Sequence, residues 1–146
     1  MKFTVSIDIH KPLDFVIQTF DDPVNLKRWM KGLESFEPIS GNPGQPGAKS
    51  KLTFNLNGRK MEMEETITVR NLPKEFSGTY EVGGIWNLVQ NQFEALSPNL
   101  TRYTSVQEFR MKAPMKWFSL LLKPMFRKQS TQHLQSFKEF TESLES

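Results

Sequence analysis

Apolar and polar residues alternate over FTVSIDI, with Phe3, Val5, Ile7 and Ile9 on one side and Thr4, Ser6 and Asp8 on the other. That is the period of a strand with one buried face. Pro12 then suits the first position of a helix, where its missing N–H does no harm. Leu13, Val16, Ile17 and Phe20 follow at i, i+3, i+4 and i+7, one apolar stripe. The pattern breaks at Asp21, and Asp22-Pro23 reads as the cap and first turn of a second short helix ending near Trp29. Residues 32–40 predict a further strand, which Pro38 and poor alternation assign to an edge or a bulge. GNPGQPG, residues 41–47, is a connecting loop by composition. It lacks the Gly-Lys-Ser/Thr and the following helix of a phosphate loop.

Asn57-Gly58 is a strong hairpin signal, because a two-residue type I′ turn needs positive φ at both positions. Counting outward pairs Leu56 with Arg59, Phe54 with Met61, Leu52 with Met63 and Ser50 with Glu65. Glu62 and Glu64 then face water, while Glu65 falls on the inner face, followed by Ile67 and Val69. An acid at an inward position is the anomaly of the sequence. Two explanations stand: an inner face that lines a pocket, or a bulge that turns Glu65 outward.

After the NLPK turn, Phe76, Gly78, Tyr80 and Val82 share a face, and Gly83-Gly84 is a second two-residue hairpin signal. Its register pairs Tyr80 with Asn87 and Phe76 with Asn91, giving the inner set Ile85, Asn87, Val89, Asn91, Phe93 and Ala95. Trp86 and Leu88 keep the opposite choice open. SPNL leads to a last strand whose inner face is assigned as Tyr103, Ser105, Gln107 and Phe109. Beyond Met115 the spacing of Phe126, Ser130, Leu134, Phe137, Thr141 and Leu144 is helical. Pro124 either opens this helix or kinks a longer one, and a short WFSLLL helix followed by a bend is the expected form.

A chain of 146 residues is the size of a single domain spanning 1–146. The net charge of +3 is too mild to imply nucleic acid, and no nucleic-acid-binding signature is present. The charge is unevenly placed, however. Arg110, Lys112, Lys116, Lys123, Arg127, Lys128 and Lys138 occur between Phe109 and Lys138 without one acidic residue. The absence of cysteine excludes disulfide and thiolate chemistry, and no segment reads as a signal peptide, so a cytoplasmic location is expected. The longest apolar stretch, near WFSLLL, is far short of the roughly 20 residues that span a bilayer.

The order strand, two short helices, antiparallel hairpins and one long terminal helix resembles the helix-grip fold of the START-like superfamily, the polyketide cyclase and lipid-transport group. IDIHKPLDFVIQTFDDPVNLKRW is similar to that family's opening, GNPGQPGAKSKLTF to its Gly-rich loop and third strand, and NLPKEF to a strand connection. These are scaffold motifs covering nearly the whole chain, with no catalytic signature among them. The resemblance implies an α+β architecture: a curved antiparallel sheet of six or seven strands around the C-terminal helix. It further implies a cavity between sheet and helix for a hydrophobic or amphipathic molecule.

Within that frame Phe54, Met61, Met63, Phe76, Val89, Phe93, Leu134 and Phe137 are candidate walls, each also suited to plain core. Glu65, Tyr80, Asn91, Tyr103, Gln107 and His133 are the candidate polar contacts. A carboxylate on an inner face is costly without a partner, so Glu65 is expected to meet water, a ligand group or hydrogen-bond donors such as Tyr80, Asn91 or Gln107. Small-molecule or lipid binding is the expected function. The alternatives are a cyclase or dehydratase with Glu65 as base and Tyr80 or Tyr103 as acid, and a module of the chaperone-activator kind that meets an acidic protein. No cofactor is expected, and His10 and His133 are too far apart, without Cys, to suggest a metal. Segment 112–128, where basic residues flank Trp117, Phe118 and Leu120 to Leu122, is a candidate for transient contact with a membrane surface. Its default reading is a solvated helix face.

Overall fold

The computed structural model describes residues 1–145, with the side chains of residues 118–120 outside the description. Strand β1 (Lys2–Ile9) leads into helix α1 (Leu13–Phe20), a 3-10 turn at Pro23–Asn25 and helix α2 (Leu26–Trp29). Six strands follow: β2 (Leu33–Ser40), β3 (Lys49–Leu56), β4 (Arg59–Asn71), β5 (Glu75–Val82), β6 (Ile85–Ser97) and β7 (Leu100–Met111). A 3-10 turn at Met115–Phe118 then opens the long helix α3 (Ser119–Ser143). The strands form one antiparallel sheet in the order β1-β7-β6-β5-β4-β3-β2.

The local signals act as expected. Asp22 accepts a hydrogen bond from the Val24 N–H at 3.0 Å, capping the 3-10 turn. Asn57 and Gly58 both take positive φ, 56° and 84°, and the β3–β4 register follows the turn count from Leu56–Arg59 to Ser50–Glu65. β2 is an edge strand with register shifts on either side of its central pairs.

Four expectations change. Pro12 is the cap of α1 and not its first residue. Pro124 lies inside α3, so the expected short helix and bend are replaced by a 3-10 turn and one continuous helix. So near the start of a helix, the donor that proline lacks is one hydrogen bond out of a long ladder. Val69 was expected inward, but β4 gains one residue against β5 at Thr68, and this bulge turns Val69 outward. Ala95 keeps the inner parity yet is exposed near the end of β6.

The core lies where α3 and α1 meet the inner face of β1, β7 and β6. Phe20 is its hub, with ring centroids of Trp29, Phe93, Tyr103 and Phe137 at 4.9–6.3 Å, mostly edge to face. Such aromatic pairs add about 0.5–1.5 kcal/mol each beyond the area they bury. The stripe Ser130, Leu134, Phe137 and Thr141 is the buried side of α3. Its C-terminal end is tied to the end of β1: the His10 N–H donates to Glu142 Oε2 at 2.8 Å, and Lys11 Nζ to the Leu144 carbonyl at 2.7 Å.

Candidate functional site

Regular pairing across β3, β4, β5 and β6 aligns Ser50, Glu65, Tyr80 and Asn87 in one row, which continues to Phe109 on β7. Because side chains alternate along each strand, every member of the row projects from the same face. On one flank lie the pairs Leu52–Met63 and Phe54–Met61. On the other lie Ile67, Gly78, Val89 and Gln107. Over β3 to β6 a polar band therefore crosses the inner face at right angles to the strands, flanked on both sides by mainly apolar residues, while on β7 the pattern inverts to Phe109 in the row and Gln107 beside it.

Glu65 is 7% exposed, and the bulge that could have turned it outward occurs at Thr68, beyond it. The Tyr80 hydroxyl donates to Glu65 Oε2 at 2.7 Å. Burial pushes the Glu65 carboxyl above its ordinary range, and the Tyr80 hydrogen bond only partly opposes this. The Tyr80 phenol is raised well above its ordinary value, first by burial and then by the adjacent carboxylate, so it stays a hydrogen-bond donor at neutral pH. Neither of the other two residues expected to donate to Glu65 does so: Asn91 is held through its acceptor oxygen and Gln107 turns its amide to Ser105. The Tyr103 hydroxyl donates to Asn91 Oδ1 at 2.8 Å, and Gln107 Nε2 donates to Ser105 Oγ at 3.2 Å.

The candidate wall residues divide into two groups. Phe93, Leu134 and Phe137, together with the polar candidate Tyr103, are closed over by the protein's own atoms and belong to the core. Phe54, Met61, Met63 and Val89 are half-buried and, among the described residues, stand outside that cluster. Phe76 is half-buried between the two, its ring 5.7 Å from Phe20 on one side and 5.8 Å from the Arg70 guanidinium on the other. His133 projects from α3 onto Trp29, with ring centroids 4.8 Å apart, and burial pushes it down to about 4, so it is neutral at pH 7. Ser50 and Asn87 belong to the band although they were not singled out as candidates. The cross-strand count was the signal that contained them.

Two clefts mark the outside of this frame. One, of about 250 Å³, opens at the β5–β6 hairpin between Glu81–Trp86 and Lys112, at the end of the inner face bearing Val82 and Ile85. The other, of about 300 Å³, lies between α1 and the Leu72-Pro73 turn and was not foreseen. Its sequence signal was the outer edge of the Leu13–Ile17 stripe. Among the described residues, no group of three or more His, Cys, Asp or Glu side chains is placed to hold a metal ion.

No family model and no curated protein matches the chain. Solved structures do. A START superfamily protein from Mycobacterium smegmatis superposes with a TM-score of 0.82 at 10% identity, covering 99% of both chains. The ZhuI aromatase/cyclase from Streptomyces sp. R1128 gives 0.80 at 11% identity, covering 97% of this chain and 93% of that one. Norcoclaurine synthase from Thalictrum flavum, solved in complex with dopamine and hydroxybenzaldehyde, gives 0.74 at 13% identity, covering 100% and 88%. At these identities the likeness concerns the fold alone: the chain carries the α+β helix-grip fold that these structures share.

Proposed function

We propose that the protein binds an amphipathic small molecule along the inner face of β3 to β6. The apolar body of the ligand lies on Phe54, Met61, Met63 and Val89, and its polar group meets Glu65 and Tyr80. One observation carries this reading: a carboxyl group is held inside a sheet face, hydrogen-bonded by a neighbouring phenol, between two apolar rows that the main core does not use. A carboxyl group there is costly for folding alone. Its placement suits a ligand hydroxyl or amine that donates to the oxygen Tyr80 leaves available. Methionine side chains fit such a wall because they adapt to several shapes. Phe93, Tyr103, Leu134 and Phe137 form the closed core beside this wall. Fold neighbours that include a cyclase and a synthase with bound aromatic molecules are in keeping with this.

Native mass spectrometry of freshly purified protein tests the reading: a retained small-molecule mass supports it. Binding of an environment-sensitive apolar dye that Met61→Ala and Glu65→Gln leave unchanged would overturn it.

The Glu65–Tyr80 pair also favours a second reading, acid–base chemistry on the bound molecule. A carboxyl raised above its ordinary range is a better general base than a solvated one, and the Tyr80 hydroxyl holds it in place. A Glu65→Gln variant that keeps full turnover of a substrate removes this reading and leaves the binding one intact.

A further inference from the structure

The buried side of α3 is fixed by Phe126, which stacks on Phe109 at 4.5 Å, and by Leu134 and Phe137. The opposite side of its first turns should by that logic be polar. It is not. Leu121, Pro124, Met125 and Lys128, at i, i+3, i+4 and i+7, share one exposed face, and Trp117 stands one turn before them. Trp117 is 78% exposed, Leu121 77% and Met125 46%. The side chains of Phe118 and Leu120, named with this segment in the sequence, lie outside the described residues.

The segment that carries this stripe has one sign of charge. Lys112, Lys116, Arg127 and Lys128 are exposed and Lys123 is half-exposed, and no acidic residue occurs from Phe109 to Lys138. Leucine and tryptophan facing water, on a segment whose charged residues are all cations, complement a surface that is apolar beneath and anionic above. An anionic bilayer has that layering: the ring and the aliphatic chains enter the headgroup boundary while the lysines meet lipid phosphates. An acidic protein groove would answer the cations equally well, but it would have to supply an apolar floor several turns long. A lipid surface has that floor everywhere. No helix among the described residues is long and apolar enough to cross a membrane, so the contact is peripheral.

We infer that the start of α3, through Trp117, Leu121 and Met125 with Lys116 and Lys128, docks the protein onto anionic lipid bilayers. The docking face and the face that packs Phe126 on the sheet are two sides of one helix. This inference rests on the exterior of α3 alone and stands or falls independently of the ligand reading.

Flotation with phosphatidylcholine vesicles, with and without phosphatidylserine, tests it. The protein should float only with the phosphatidylserine vesicles, and added salt should weaken the binding. Leu121→Glu and, separately, Trp117→Gln should abolish flotation while leaving the thermal midpoint unchanged, since both positions are exposed. Two variants keep the test decisive if one proves unstable. Combined Lys116→Gln and Lys128→Gln should weaken affinity about 30-fold. Failure to float with anionic vesicles overturns the inference, as does flotation indifferent to both apolar variants. A dimer in sedimentation velocity that Leu121→Glu converts to monomer, with vesicles left unbound, would assign the stripe to a second copy of the chain and overturn it as well.

Discussion

The Tyr80 hydroxyl reaches Glu65 Oε2 at 2.7 Å from the neighbouring strand, so the buried acid and its donor are directly opposed across β4 and β5. Tyr80→Phe removes that donor and leaves the carboxyl in place. A buried polar group that loses its partner costs about 1–3 kcal/mol. The variant should lose stability in that range in denaturant unfolding, and the Glu65 carboxyl should titrate still higher by NMR.

Glu65→Gln should act in the opposite direction. Burial raises the Glu65 carboxyl in the folded state, so its contribution to stability is fully present below the unfolded value of 4.5 and is lost as pH rises through the folded value. Glutamine still accepts from Tyr80 and carries no charge to desolvate. The variant should therefore be at least as stable as the parent at pH 7, with the difference shrinking toward pH 4.5. Chemical denaturation at several pH values checks this, and a fall in stability at pH 7 would contradict it.

His133 carries the acid limb. Its folded value of about 4 lies below the unfolded 6.5, so the unfolded chain binds more protons in that interval and stability falls as pH drops from 6.5 to 4. The loss should be of the order of 2 kcal/mol, allowing for the partial exposure of the ring. His133→Gln should flatten the pH dependence of the thermal midpoint between those limits.

Core and wall should separate under truncation. Phe137 is 0% exposed, and Phe137→Ala should cost about 3–5 kcal/mol. Met61 is half-buried and outside the core cluster, so Met61→Ala should cost about 1 kcal/mol or less while lowering dye binding more than Phe137-independent surface changes do. Denaturant midpoints and dye titration on the same preparations distinguish the two.

Most of this arrangement was legible because it is local. Asn57-Gly58 and Gly83-Gly84 fix their turns, and period-two counting from them gives the Ser50–Glu65 and Tyr80–Asn87 pairs of the polar band, while the Glu65–Tyr80 pair that joins them lies across the NLPK turn, whose length sets no register by itself. Glu65 was identifiable as an anomaly from its parity alone. What escaped was the residue count between strands: nothing in TITVRN marks Thr68 as an extra residue. The bulge reverses the faces beyond it, so Val69 points out and Arg70 turns toward Phe76 and the Asp21 carboxylate, which it meets at 2.6 and 2.8 Å. Pro124 misled for a related reason. A proline inside a helix is penalised by local rules, but only one backbone bond is forfeited here, and the packing of Phe126, Leu134 and Phe137 outweighs it. Which apolar inner residues close into core and which stay half-open depends on where α1 and α3 lie, information that no single strand contains.

The two-residue connection at Asn57-Gly58 acts as a ruler for everything downstream on β4. Were one residue added after Gly58 while the turn itself stayed two residues long, Ser50 would face Glu64, which would take the inward place, and Glu65 would be handed to solvent. The chemical character of the interior is thus written in a residue count that starts from a surface turn that never touches it, and a lineage could exchange one binding preference for another by a single codon's gain or loss at the tip of a hairpin.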